Sequence, residues 1–153
     1  DMTYNCNVKC IYLFTKYCID LLKESKGNII NIGSVHSVAT SMDIAAYASS
    51  KAAIVGLTKN LAIELGKFNI RVNCISPGAI DTAMLRASLV RDKTENISEE
   101  MLLQKIKKLH LLDDIGNPSE IANFVYFISN NCNFINGSNI VIDGGASIKL
   151  STE

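Results

Sequence analysis

Two short apolar runs, Asn28 to Gly33 and Ile70 to Ile75, bracket a long stretch of helix formers from Ala45 to Leu65, and this alternation restricts the fold more than any other feature. Each run is too short for a helix, and its β-branched content suits a strand buried on both faces. The stretch between them is rich in Ala and Leu, which lose little on entering a helix, and Gly66 sits where a helix-ending residue belongs. Strands joined through a long helix run parallel, because only a crossover returns the chain to the starting edge of the sheet. An α/β chain with a parallel sheet is therefore expected, with ligands beyond the C-terminal strand ends.

The flanks continue the rhythm. Residues 5 to 25 place Val8, Ile11, Tyr12, Phe14, Cys18, Leu21 and Leu22 at helical spacing, and Gly27 is the expected stop. Asn117, Pro118 and Glu120 supply the N-cap, N1 and N3 positions of a helix running to about Ser129. Asn139 to Ile142 reads as the last strand, closed by a tight turn at Gly144 and Gly145 rather than a phosphate loop. Thr82 to Gly116 is too long for a simple connection. Its Ser98-Glu99-Glu100 start, followed by Met101, Leu102, Ile106 and Leu109, predicts a helical flap.

The 153 residues, 48% hydrophobic and 20% charged, suit one globular unit, and fifteen basic against fifteen acidic residues leave no field that argues for nucleic acid or an anionic membrane. No apolar run is long enough for a bilayer, and the start carries no signal-peptide pattern, so a cytoplasmic location is expected. The five cysteines lack C-x-x-C spacing, which predicts free, buried thiols and no metal site. Small molecules remain as the expected partners.

Asn7, Ser34, Tyr47 and Lys51 form the constellation with chemical content. Tyr47 and Lys51 lie one helical turn apart, and a cation beside a phenol favours the phenolate, the condition for acid and base work near neutral pH. Tyr12 and Lys16 repeat the spacing without a strand-end Ser and read as helix surface. A hydrolase elbow at Ser34 would need Gly two residues to either side, where Ile32 and His36 stand. His36 then reads as a loop residue near substrate, His110 as a flap residue, and Lys105, Lys107 and Lys108 as a solvated helix face.

The Asn, Ser, Tyr and Lys order, together with Ile70-Arg-Val-Asn-Cys-Ile-Ser-Pro-Gly78 and Asp143-Gly-Gly145, resembles the short-chain dehydrogenase/reductase family across essentially the whole chain. The family's opening strand, glycine-rich turn and helix, and its Asn-Asn-Ala-Gly element, have no counterpart here. The resemblance therefore implies the C-terminal, catalytic half of a Rossmann-like doubly wound parallel sheet: one partial domain, 1–153, with a substrate lid at 82–116. It implies hydride transfer between NAD or NADP, preference open, and a ketone or secondary alcohol. Tyr47 would be the acid and base, Ser34 would bond the same substrate oxygen, Lys51 would bind ribose hydroxyls, and Asn7 would hold a water linking Lys51 to solvent. Pro77, Gly78, Ile80 and Thr82 would border the nicotinamide, with Cys10 standing where the family often has Gly. The family's pairing helices, here about 5 to 25 and 45 to 65, imply a homodimer or homotetramer. The competing expectation is a catalytically inactive fragment or oligomerisation module, and in either case a 153-residue chain alone is expected to bind NAD(P) poorly.

Overall fold

The computed structural model describes residues 1–92 and 97–149. The chain opens with α1 (Met2–Tyr4), which continues through a π turn (Asn5–Lys9) into α2 (Cys10–Ser25). Then follow β1 (Asn28–Ile32), a 3-10 turn (Val35–Ser37), α3 (Ala45–Gly66) and β2 (Arg71–Pro77). After β2 come α4 (Ala83–Asp92), α5 (Glu99–Lys108), α6 (Pro118–Asn131), β3 (Asn139–Ile142) and a closing 3-10 turn (Ala146–Ile148). The sheet is parallel, in the order β1-β2-β3, with Ile32 opposite Ile75 and Pro77 opposite Ile142. The α/β fold with a parallel sheet is thus as expected.

The core forms where α3 lies on β2. Leu61, Ala62 and Leu65 are buried against Ile70 and Val72, and Ile11, Ile19, Leu22, Ile29, Leu57 and Phe68 pack around them. Full burial of a side chain of this size contributes about 1.5–3 kcal/mol. Among the described residues no helix is long and apolar enough to cross a membrane.

Three expectations are corrected. The helices do not end on left-handed glycines: Lys26 (φ 49°) and Asn69 (φ 60°) take that conformation. The Gly27 N–H donates to the Leu22 carbonyl at 3.0 Å, so the glycine follows the reversal rather than making it. Next, β1 is an edge strand and is not buried on both faces; Ile32 is 44% exposed. Between β1 and α2 runs a groove of about 330 Å³, lined by Cys10, Phe14, Cys18, Asn28 and Asn31 among others. The same geometry corrects the thiols: Cys74, on the central strand, is buried, whereas Cys10 and Cys18 face the groove and Cys6 is exposed. All five are free.

The predicted lid segment contains the expected α5, its Ser98 hydroxyl accepting the Met101 N–H at 3.2 Å, and a further helix, α4, that no sequence pattern announces. Positions 93–96 of the predicted lid and 150–153 of the predicted domain lie outside the described residues.

Gly33 joins the fold to the site. Its N–H donates to the Ile75 carbonyl at 2.7 Å, and a Cβ there would stand 2.7 Å from the Ser76 hydroxyl and 2.8 Å from the Cys74 sulfur. Gly33→Ala should destabilise the protein by about 1–3 kcal/mol through overpacking, read as a lower urea midpoint at unchanged slope. An unchanged midpoint would show that β2 yields here.

Candidate active site

The four predicted residues arise from three elements that meet at the C-terminal end of β1. Ser34 follows the strand, is 6% exposed, and accepts the His36 N–H at 3.2 Å, which leaves its own hydroxyl proton to donate. The 3-10 turn that it caps carries the His36 ring to an edge contact with the Tyr47 ring, centroids 6.1 Å apart. Lys51 Nζ lies 5.7 Å from the Tyr47 ring centroid and donates to the Ile32 carbonyl at 3.0 Å, two residues before Ser34. One helical turn of α3 is thereby tied to the strand end.

Asn7 sits in the π turn. There the Cys10 N–H reaches back to the Asn5 carbonyl, a one-residue widening that often marks functional helices, and the Cys10 thiol donates to the Cys6 carbonyl. Asn7 Nδ2 donates to the Ser50 hydroxyl at 2.9 Å, and Ser50 donates to the Tyr47 carbonyl at 2.7 Å. Ser50, wholly buried, thus bridges the π turn to the helix bearing Tyr47 and Lys51. Sequence reasoning does not single it out. The available cue is a hydroxyl placed between Tyr47 and Lys51 in an Ala-rich helix.

Burial pushes the Lys51 ammonium below the ordinary lysine range, and its charge interactions with Cys74 and Cys10 work the other way. Burial also raises the Cys74 thiol, against the opposing bonds from Ser76 and Gly33. His36 Nδ1 is buried and has no hydrogen-bond partner. Among the described residues no group of three or more His, Cys, Asp or Glu could hold a metal ion.

The second strand end is joined to the first by the Ser37 and Ser76 hydroxyls, 3.2 Å apart. Pro77 closes β2, and the Gly78 N–H donates to the Ile142 carbonyl at 2.8 Å. Ile80 forms a parallel bridge with Gly116, in which Gly116 donates to the Ala79 carbonyl and Asp81 to the Gly116 carbonyl, both at 2.9 Å. Because the bonds fall on its neighbours, Ile80 turns its own N–H and C=O away from Gly116. Thr82 is exposed, and its hydroxyl accepts the Leu85 N–H at 3.3 Å at the start of α4. Arg86 grips the Asp81 carboxylate through two 2.8 Å bonds, which hold that carboxyl below the usual range.

The comparisons with known proteins fit this geometry. A family model described as Enoyl-(Acyl carrier protein) reductase matches residues 1–147. The chain belongs to the short-chain dehydrogenase/reductase family. It is 37% identical over 152 residues to Dehydrogenase/reductase SDR family member 4 of Oryctolagus cuniculus, covering 98% of this chain and 55% of that protein. It is 34% identical to (+)-borneol dehydrogenase 2 of Salvia officinalis, covering 95% and 52%. Aldohexose dehydrogenase of Thermoplasma acidophilum, ligand-free, superposes with a TM-score of 0.88 at 30% identity, covering 95% of this chain and 58% of that one. L-Sorbose reductase of Gluconobacter frateurii, complexed with NADPH and L-sorbose, gives 0.86 at 28% identity over 97% and 58%. A 4-hydroxyisoleucine dehydrogenase complexed with NADH gives 0.77 at 35% identity over 96% and 59%. The chain spans about half the length of the curated relatives it matches.

At the end of β3, Gly144 and Gly145 make the expected turn with φ of +56° and +83°. Burial alone would raise the Asp143 carboxyl, but bonds from Ser147 and from the Gly145 N–H overcome it and hold the group below the ordinary range. A depressed carboxyl contributes stability that is present above its unfolded value, about 3.9 for Asp, and is lost as pH falls through the folded value. Asp143→Asn should therefore lower the urea midpoint at pH 7 and shrink the gap to wild type in strong acid. An equal gap at both pH values would mean that the carboxylate charge contributes nothing.

Proposed function

We propose that this chain carries the proton-transfer half of an NAD(P)-dependent oxidoreductase acting on a ketone or secondary alcohol. The observation that carries the reading is the placement of Lys51 one turn from Tyr47, its Nζ bonded to the Ile32 carbonyl two residues before Ser34. Similarity to enzymes whose structures hold NADH or NADPH supports the cofactor class.

The residues present fit the nicotinamide end of such a cofactor. The Lys51 ammonium retains donors beyond its bond to Ile32 for ribose hydroxyls, and the outward N–H and C=O of Ile80 suit a carboxamide. Pro77 and Gly78 border that turn, and Thr82 follows it. NAD(P)(H), when bound, supplies or accepts the hydride.

In the reducing direction Tyr47 donates its proton to the substrate oxygen as negative charge builds there, and Ser34 donates a hydrogen bond to the same oxygen. In oxidation Tyr47 takes the proton back. The Lys51 ammonium stands beside the Tyr47 ring, and the Asn7-Ser50 bridge holds the π turn against this part of α3, where Asn7 can keep a water in line with Lys51. The segment 82–116 acts as the substrate lid, and the α2 and α3 helices pair in a homodimer or homotetramer, which light scattering of the complete protein at micromolar concentration tests.

Tyr47→Phe in the complete protein should lower turnover by roughly 10²- to 10⁴-fold while cofactor affinity stays near wild type. Tyr12→Phe, on an exposed helix surface, should be silent. Steady-state rates with a responsive ketone decide it, and a Tyr47→Phe enzyme that retains most of its rate would sink the assignment.

A further inference from the structure

The segment after α5 is fastened to both turns at the C-terminal end of the sheet, and one side chain makes the central contact. His110 is 4% exposed. Its Nδ1 lies 2.9 Å from the Ile106 carbonyl, which can only accept, so Nδ1 carries the proton. Nε2 is then the lone-pair nitrogen, and it accepts the Ala79 N–H at 3.3 Å. The ring occupies the space over Gly78 and Gly144: a Cβ at Gly78 would stand 3.1 Å from Nε2, and one at Gly144 would stand 3.4 Å from the His110 Cβ. Beside it the Leu112 N–H donates to the Gly144 carbonyl at 3.3 Å.

We propose that His110 is a positioning residue, whose neutral imidazole latches the base of α5 onto the Gly78-Ala79 turn, aims the backbone of Ile80, and releases that turn when the ring is protonated. The consequence for catalysis rests on the function proposed above, in which this turn borders the nicotinamide. A protonated ring presents an N–H where it now presents a lone pair, and two facing N–H groups cannot bond. Asp143 from the end of β3 and Asp114 from the chain after His110 lie within electrostatic reach of the ring. Lys107, in the last turn of α5, is paired with Asp114 at 2.8 Å. A charged ring would therefore face carboxylates, and the latch can be lost without stranding a bare charge. Mild acid protonates imidazoles in general and is therefore the condition that tests the release.

The test is amide exchange at Ala79 in the complete protein, referred to the Cys74 N–H of β2, near neutrality and in mild acid, with NAD(P) KM and kcat measured alongside. In the wild type, acid should increase Ala79 exchange relative to Cys74. His110→Phe should raise that relative exchange about tenfold at neutral pH, the scale of one buried donor losing its partner, and should raise cofactor KM more than it lowers kcat. His110→Gln, whose amide oxygen reaches the place of Nε2 and does not titrate, should keep Ala79 protected and abolish the acid effect. Equal Ala79 protection at both pH values in the wild type, or a Gln variant as acid-sensitive as wild type, overturns the proposal, and the wild-type comparison stands even if the Phe variant fails to fold. If Ala79 responds as stated but the complete protein transfers no hydride to any carbonyl, the latch stands and the proposed function falls.

Discussion

The central strand carries polar side chains that water cannot reach, and the need to satisfy them organises the loops around the site. Val72 to Ser76 are all fully buried. An unpartnered buried amide or hydroxyl costs about 1–3 kcal/mol, so each must recruit a fixed partner. Asn73 donates to the Ile135 carbonyl at 2.8 Å and accepts the Ser138 N–H at 3.1 Å, which sets the entry to β3. Ser76 donates to Asn139 at 2.7 Å and lies 3.2 Å from the Ser37 hydroxyl, joining the chain after β1 to the start of β3. The Val72 N–H, bonded at 2.8 Å to the Asn136 side chain, extends the same scheme. With these contacts in place, the loops beyond Ser34 and Pro77 have little freedom at the strand ends, where the proposed site lies.

The four candidate residues, Asn7, Ser34, Tyr47 and Lys51, depend on the same need for partners. Lys51 is half-buried, which weakens its hold on a proton, yet its bond to the Ile32 carbonyl keeps the ammonium at the strand end rather than in solvent. Burial thus works against the Lys51 charge, while the directional bond to Ile32 fixes where that charge stands. Asn7 is reached by a different route. A regular helix would place its side chain one step round the axis, and the π turn opens the ladder just where the Asn7 amide meets Ser50.

What could be read from the sequence was local. The capping box at Asn117 and Glu120, the span of β3 and the long α3 helix each depend on residues within a few positions of one another, and all appear as expected. Tyr47 and Lys51 share a turn for the same reason. The helix stops at Lys26 and Asn69 were not legible, because the reversal point is set by where the next strand must enter the sheet, and the neighbouring glycines are only compatible with it. The α4 helix has no clear apolar stripe: Leu89 is buried, while Met84 and Val90 are exposed. Ser50 and His110 acquire their roles from partners 43 residues and 31 residues away, a separation at which a single sequence carries no signal.

The two sides of the sheet differ in a way that bears on function. The C-terminal strand ends are closed by turns with matched donors and acceptors, from Ser37 through Gly78 to Asp143, so geometry there is set by hydrogen bonds that this chain makes with itself. The β1 edge has the opposite character: Ile32 is exposed, and the groove beside it is walled by Ile11, Phe14 and Leu22. Apolar contact is tolerant of small displacements, whereas the proton transfer proposed between Tyr47 and a substrate oxygen is not. The chain thus keeps directional bonds for the strand ends that carry Ser34 and the Gly78 turn.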